Sequence, residues 1–272
     1  MMRALWSAAS GMITQQTNVD TIANNISNVN TTGFKGDRAE FKSLLYQTMQ
    51  ARTTTANGAR KPVPAQVGLG TRLAAVTTSF SQGSINEVDS PTAFAIEGQG
   101  LFGVMGEDGQ VYYTRNGDFQ WCMGTDGVTL ATKDGYPVLD TNGDPIVLPD
   151  DVSTSNVLWT TTTGELGYVG EDGNYVSLDQ QIGLWQFNNP AGLEKIAGTR
   201  YVETAASGPA MSEMDTPGLQ KSAVKHGFIE MSNVKLADEM VNLIVAQRAY
   251  EMNSKAIQAA DDMLGQANQL KR

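Results

Sequence analysis

The sequence predicts an α+β protein in which helices at the two chain ends flank a central, mostly antiparallel β domain. Three observations lead to this fold class. Apolar residues recur every seven positions near both ends, turn dipeptides divide the middle, and 272 residues suffice for one large domain or two modest ones. The predicted division is 1–30 with 233–272 as the helical domain, 31–70 as an extended linker or arm, and 71–232 as the β-rich domain.

The first predicted helix covers residues 1–30. Its apolar seam runs through Leu5, Met12, Val19 and Ile26. A second row stands three positions further on, at Ala8, Gln15, Ile22 and Val29 respectively. This is the a/d spacing of a heptad pattern, with one polar position at Gln15. The stretch NTTG is expected to end the helix, with Gly33 as the stop.

The segment that follows is mixed in character. AEFKSLLYQTM, residues 39–49, predicts a short helix. The next twenty residues are rich in Thr, Ala, Gly and Pro, and Pro62 and Pro64 favour extended backbone. We expect a long loop or an extended arm.

Residues 71–230 carry the β signal. Short alternating runs such as RLAAVTTSF, VYYTRNGDFQ, GYPVLD and QIGLWQF are separated by turns such as RNGD, KDG and TNGD. Asn-Gly and Asp-Gly suit type I′ hairpin turns, because both central residues there need positive φ. The pattern predicts an antiparallel sandwich or open barrel of hairpins.

A second helix is predicted over residues 233–268. Its seam runs through Leu236, Leu243, Tyr250, Ile257 and Leu264, followed at three positions by Glu239, Ala246, Asn253, Ala260 and Ala267. The small residues of the second row would allow a partner helix to approach closely. Since neither terminal helix can bury its seam alone, the two must pair with each other, with other copies, or both.

Composition excludes several function classes. The net charge of −10 argues against binding to nucleic-acid phosphates, which requires basic patches. Cys122 is the single cysteine, so no internal disulfide forms and no CxxC pair suggests zinc. No apolar run reaches the ~18 residues of a membrane helix. The apolar patch after Arg3 is broken by ITQQTN, which argues against a cleavable signal peptide.

Catalytic, metal and cofactor motifs are weak. His226 is the single histidine, and no nucleophile elbow accompanies it. DTNGD, residues 140–144, spaces oxygen ligands as a calcium loop does but lacks the downstream glutamate, so a hairpin turn is favoured. GQG at 98–100 is only a fragment of a dinucleotide loop. The sequence therefore predicts neither an enzyme nor a cofactor.

The polar face of the first helix is unusual because it carries amides instead of charges. Within residues 1–30 only Arg3 and Asp20 are charged, whereas Asn and Gln recur throughout. Hydrogen-bonded amides are buried at far lower cost than charges. The face suits a helix surrounded by other helices, and it equally suits an intramolecular helix pair whose amides face water.

Two motifs carry a resemblance to a known family. ANNISNVNTTGFK resembles the N-terminal signature of bacterial flagellar rod and hook proteins, through Ala23, Asn24, Asn25, Asn28, Gly33, Phe34 and Lys35. SNVKLADEMVNLIVAQRAYEMNSKAIQAADDML is similar to the C-terminal helix of that family, through Gln247, Arg248, Tyr250, Glu251, Asn253 and Lys255. The resemblance covers the whole chain, and within the family it is greatest to distal rod subunits.

The resemblance implies a structural role. Members stack helically into a hollow drive shaft that transmits torque to the hook and lets exported subunits pass. The implied partners are other copies of the chain, proximal rod proteins, the hook protein, bushing rings where an outer membrane exists, and the flagellar type III export apparatus. The implied place is the extracytoplasmic basal body. Two alternatives stay open, a hook or proximal rod subunit and a secreted adhesin-like β module on a coiled coil.

Overall fold

The computed structural model describes residues 2–50, 65–124, 127–149, 158–169 and 175–269. Pro62, Pro64 and the middle of the predicted arm lie outside these ranges. The described residues form two compact units. The first comprises Met1–Ser27, Asp37–Thr77 and Lys235–Arg272, and the second comprises Asn28–Gly36 and Thr78–Val234. Two helices and antiparallel sheets confirm the α+β class.

The first unit contains both helices and two small strand pairs. Its elements are α1 (Met2–Ser27), β1 (Asp37–Ser43), β2 (Tyr46–Gln50), β3 (Ala65–Gly68), β4 (Thr71–Thr78) and α2 (Leu236–Gln269). β1 pairs with β4, and β2 pairs antiparallel with β3. α2 carries Asp238 and Glu239 in its first turn, where carboxylates are favoured by the positive end of the helix dipole. No helix among the described residues has the length and apolar character to cross a membrane.

The predicted short helix over residues 39–49 is wrong. This stretch lies in β1, a two-residue connection and β2. The side chains of Phe41, Leu45, Tyr46 and Met49 are all exposed, so no helical face is buried by this segment. Pairing with β3 and β4, which lie 15 or more residues further along the chain, supplies the backbone hydrogen bonds instead. Tertiary pairing has overridden local propensity.

The second unit consists of short strands with antiparallel pairings. Its strands are β5 (Ile85–Glu87), β6 (Phe94–Glu97), β7 (Leu101–Met105), β8 (Val111–Thr114), β9 (Phe119–Gly124), β10 (Gly127–Thr132), β11 (Val147–Leu148), β12 (Leu158–Thr160), β13 (Glu165–Val169), β14 (Tyr175–Gln181), β15 (Leu184–Gln186), β16 (Glu194–Ile196), β17 (Arg200–Val202), β18 (Met211–Ser212), β19 (Ala223–His226) and β20 (Phe228–Glu230). A 3₁₀ turn spans Pro190–Gly192.

One six-stranded sheet organises the second unit. Its strand order is β16-β17-β8-β7-β15-β18, with three-stranded sheets β11-β10-β9 and β12-β13-β14 and the pairs β19-β6 and β20-β5. The larger buried cluster contains Phe94, Ile96, Phe102, Val104, Phe119, Leu130, Val138, Ile146, Leu166, Ile182, Leu184 and Val224. The core therefore draws residues from strands along the whole unit, including β19 near its end.

Candidate assembly surface

The two helices of the first unit pack against each other in opposite directions. Near the start of α1, a Cβ on Gly11 would stand only 2.8 Å from Nδ2 of Asn253, in the second half of α2. Near the end of α1, the amide of Asn25 hydrogen-bonds the carboxyl of Glu239, in the first turn of α2. The helices therefore approach each other closely at Gly11, and the pairing is antiparallel.

The residues predicted as the α1 seam are the more buried positions of that helix. Ala8 and Ile22 are buried, and Leu5, Met12, Val19 and Ile26 are half-buried. Val29 is half-buried in the turn that follows α1 and belongs to the second unit. Their predicted role in contacts between copies stays a prediction.

The α2 seam is less evenly covered. Ala246 and Ala260 are buried, Leu243, Ile257 and Leu264 are half-buried, and Leu236 and Tyr250 are exposed. The rows with heptad spacing thus contain the buried positions of α2. Exposure of Tyr250 marks a place where the seam opens into a groove.

Asn25 shows what a buried amide does in this fold. Its Nδ2 donates to the carbonyl oxygen of Asp37 and its Oδ1 accepts from the Asp37 amide, each at 2.8 Å. Asn25 is 2% exposed, so both bonds form away from water. The side chain pairs with the first residue of β1 as a neighbouring strand would. It therefore ties α1 to β1 and hydrogen-bonds Glu239 of α2.

Burial raises the pKa of the Glu239 carboxyl above its ordinary value, and the hydrogen bond from Asn25 and the nearby Arg38 oppose that shift. Asn18, Thr21 and Asn242 line a cavity beside these groups, together with Ile22, Asp37, Arg38, Ala39, Glu239 and Val245. This end of the helix pair is thus polar and hydrogen-bonded.

Large apolar side chains remain exposed on both helices. On α1 they are Trp6 and Ile13, one heptad apart. On α2 they are Leu236, Met240, Val241, Ile244, Val245, Tyr250, Met252 and Met263. At 3.6 residues per turn, Val241, Val245 and Met252 lie together on one face of α2, turned away from Ala246 and Ala260. The chain alone therefore leaves an apolar strip on α2 uncovered, which is typical of a protein–protein contact.

The N-terminal signature continues into the second unit, where Lys35 is fully buried. Its Nζ donates to Oε1 of Glu230 at 2.7 Å and to the carbonyl of Ser81 at 2.8 Å. Gly83 donates its amide to the same Oε1 at 2.8 Å. Nε of Arg115 lies 3.1 Å from Oε2 of Glu230, an ion-pair contact without hydrogen-bond geometry. One carboxylate thus joins four segments of the chain.

Electrostatics in this cluster follow from burial. Removal from water lowers the pKa of Lys35, the Glu230 carboxylate opposes that shift, and the charge of Arg115 adds to it. Arg115 also donates to the carbonyls of Gly100, at 2.6 Å, and Gly98, at 2.7 Å. The positive groups are therefore satisfied by backbone oxygens as well as by the carboxylate, as buried charges require.

Gly33 and Phe34, which precede Lys35 in the N-terminal signature, are fixed by close contacts in the second unit. Gly33 has φ of +67°, and a Cβ there would stand 2.4 Å from the amide nitrogen of Asn116. Its own amide donates to the carbonyl of Glu230 at 2.8 Å. Phe34 is buried, and Nζ of Lys195 lies 4.4 Å from its ring centroid. Only glycine fits at position 33.

The C-terminal signature is distributed differently. Gln247, Arg248, Glu251 and Lys255 are exposed, and Asn253 is half-buried beside Gly11. Nη1 of Arg248 lies 2.9 Å from Oε2 of Glu251, one turn apart on α2. Ala23 and Asn24 on α1 are exposed. The structure therefore does not gather the two signatures into one site.

Sequence reasoning missed Glu230, Arg115 and Glu213. The Glu213 carboxylate, 3% exposed, accepts from Ser222 N–H at 2.7 Å and from Gln186 Nε2 at 2.8 Å. None of these charges stands in a recognisable motif, and each meets its partners only through the fold. His226 packs its ring 5.4 Å from that of Phe94, with Nε2 2.8 Å from the carbonyl of Pro91.

Three family models match the chain in separate regions. The Flagella basal body rod protein model matches residues 5–35, the Flagellar hook protein FlgE/F/G D1 domain model matches residues 95–167, and the Flagellar basal body rod FlgEFG protein C-terminal model matches residues 225–270. The matched regions include α1, the middle of the second unit and α2.

Full-length relatives agree with these matches. The chain is 46% identical over 277 residues to the flagellar basal-body rod protein FlgG of Borreliella burgdorferi, covering all of both chains. It is 42% identical to FlgG of Agrobacterium fabrum, covering 96% of this chain and 97% of the relative. It is 38% identical to FlgG of Bacillus subtilis, again over all of both chains.

Proposed function

Because this chain belongs to the FlgG family of flagellar basal-body rod proteins and is a structural rod subunit, we propose that its copies polymerise helically into the distal rod. In this proposal the rod is a hollow drive shaft that carries torque from the motor to the hook and lets exported subunits pass. The first unit builds the inner tube and the β-rich second unit faces outward.

The observation that carries the proposal is the apolar surface left exposed on the helix pair. Trp6 and Ile13 on α1, and Val241, Val245 and Met252 on α2, are largely uncovered within the chain. Burial of apolar area is favourable by about 25 cal/mol per Å². The exposed surface of α1 differs from that of α2, so a contact between α1 of one copy and α2 of the next is heterologous. Heterologous contacts that do not close into a ring build open helical polymers.

We infer that the predicted seam residues act at two levels. Ile22, Leu243 and Ile257 would hold α1 to α2 as a coiled-coil pair within one chain. Leu236 and Tyr250, which are exposed, would contact neighbouring copies. Residues 46–70 would pack between copies as a stiffening arm, an idea supported by the exposure of Tyr46, Met49, Val67 and Leu69.

The proposed partners follow from the family. They are other copies of the chain, proximal rod proteins on one side, the hook protein on the other, and bushing rings where an outer membrane is present. The proposed route is the flagellar type III export apparatus, without a cleaved signal peptide, to the extracytoplasmic rod. The family matches favour this rod function over a hook or proximal rod subunit and over an adhesin-like module.

The test is polymerisation of the purified full-length chain, followed by sedimentation and electron microscopy. Val245→Glu with Met252→Glu places two charges on the exposed strip of α2, and we expect rod-like polymers to be lost. Met123→Glu, at the most exposed large apolar residue described in the second unit, is the matched control and should polymerise normally. Normal rods from the α2 double variant would refute the role of this surface.

A further inference from the structure

A groove opens between α1 and α2 where the seam is interrupted at Tyr250. It has a volume of about 380 Å³ and is lined by Gln16, Val19, Gln247, Tyr250 and Glu251. That volume lies in the range of cavities that bind small ligands or large side chains. Val19 and Tyr250 supply apolar surface, whereas the two glutamine amides and the Glu251 carboxylate supply acceptors. The groove therefore suits an aromatic group that carries a hydrogen-bond donor.

Trp6 is the complementary group. It is 72% exposed, which leaves most of its indole in water. Indole offers large apolar area and one N–H donor, and it accepts no hydrogen bond. Tryptophan is also among the residue types most enriched at the energetic centres of interfaces. An indole left in water on a helix is thus a surface that a partner would bury.

Charge is complementary as well. Arg3 is exposed one turn before Trp6 on α1, and the 16 residues that follow it up to Val19 carry no charged side chain. The groove carries Glu251, whose Oε2 lies 2.9 Å from Arg248, both side chains being largely exposed. An exposed pair of this kind is weak, so a second guanidinium can join it at little cost.

We propose that Trp6 of one copy inserts into the α1–α2 groove of a second copy, with Arg3 beside Glu251. This inference rests on the proposed polymerisation and names one contact within it, separate from the apolar strip of α2. The indole packs on Val19 and Tyr250 and donates its N–H to an amide oxygen of Gln16 or Gln247 or to the Glu251 carboxylate. Each copy offers one Trp6 and one groove, so a copy that has filled its groove still presents its own Trp6.

Cross-linking tests the contact directly while keeping Trp6 intact. In a Cys122→Ser background, Arg3→Cys chains are mixed with Glu251→Cys chains, polymerised, and treated with a short bismaleimide. We expect a cross-linked pair from the mixture and none from either chain alone. Met263→Cys, on the exposed face of α2 away from the groove, replaces Glu251→Cys as the matched control and should give no pair.

Substitution supplies the second readout. Trp6→Ala should raise the critical concentration for polymerisation roughly 10- to 30-fold, as expected for loss of an interface anchor, and Trp6→Phe should raise it less. Arg3→Glu and Glu251→Arg should each impair polymerisation, and the double variant should recover part of it. If the wild-type chain polymerises, the Trp6→Ala variant polymerises equally well and no cross-link forms, this inference alone is overturned. Failure of the wild-type chain to polymerise would overturn the proposed function itself.

Discussion

The Lys35 ammonium and the Glu230 carboxylate meet at 2.7 Å with both side chains fully buried, although 195 positions separate them in the chain. Lys35 follows the turn after α1, and Glu230 ends β20, just before α2. The pair therefore closes the second unit by joining its first segment to its last. Because Glu230 also accepts from Gly83, loss of this carboxylate would release several segments together.

Glu230→Gln is expected to destabilise the second unit strongly. The substitution keeps the shape but removes the negative charge that faces the buried Lys35 and Arg115, and breaking a buried ion pair typically costs about 3–5 kcal/mol. The loss in the free energy of unfolding is measured by urea titration, with hydrogen exchange in peptides of β7, β8 and β15 as the signal for the second unit. Glu97→Gln is the matched control, because its pair with Lys225 is exposed and should change stability by less than about 1 kcal/mol. Equal effects of the two variants would contradict the prediction.

Asn25→Ala is expected to loosen the attachment of β1 to α1. It removes the two hydrogen bonds between the Asn25 side chain and the Asp37 backbone, each of which typically contributes about 0.5–1.5 kcal/mol to stability. The direct readout is faster hydrogen exchange at the Asp37 amide. Asp20→Asn, on the exposed face of the same helix, should leave that exchange rate unchanged.

Gly11 and Gly265 should respond differently to alanine. Gly265 has open space where a methyl group would stand, so Gly265→Ala should stabilise α2 by about 1 kcal/mol through helix propensity. At Gly11 the same methyl would stand 2.8 Å from Asn253, so the propensity gain is offset by a shift of that side chain. Thermal unfolding, followed by the helical circular dichroism signal, compares the midpoints of the two variants. A stabilised Gly11→Ala variant would show that the helices do not approach closely there.

Tyr113 should make the second unit sensitive to alkali. Burial, with a contribution from Glu203, raises the pKa of its phenol to about 12, against about 10 when unfolded. Because the pKa is higher in the folded state, the contribution of Tyr113 to the free energy of unfolding is fully present below pH 10. It is lost as the pH rises from 10 towards 12. The difference between the two pKa values corresponds to about 3 kcal/mol. Unfolding free energies at pH 8 and pH 11 should therefore differ less in Tyr113→Phe than in the wild-type chain.

The helices were predictable because their signal is local. Heptad rows at both ends of the chain identify α1 and α2, and the positions in those rows, such as Ala8, Ile22, Ala246 and Ala260, are buried in the structure. The α+β class followed from the same periodicity together with the Gly-containing turns. Residues 39–49 show the limit, since their strand conformation depends on partners that the local sequence does not reveal.

The charged cluster could not be predicted for a similar reason. Lys35 stands in the signature, but nothing near it indicates that Glu230 and Arg115 complete the group. For the asparagines of α1, the sequence predicts a helix face that either packs against surrounding helices or is exposed to water. Asn25 has a third role, because it pairs with the backbone of Asp37 within its own chain. Both arrangements arise from contacts that only the folded chain creates.

The first unit is assembled from segments on both sides of Thr78–Val234, so this larger segment of the second unit is an insertion within the first. Chain length added to or removed from Thr78–Val234 leaves the residues that set the α1–α2 register, such as Gly11 and Asn253, untouched. Domain insertions of this kind are well tolerated where the host's ends stay paired. The helix pair is thus the constant part of the chain, and an inserted module of another size needs only to keep a partner such as Glu230 for the buried Lys35.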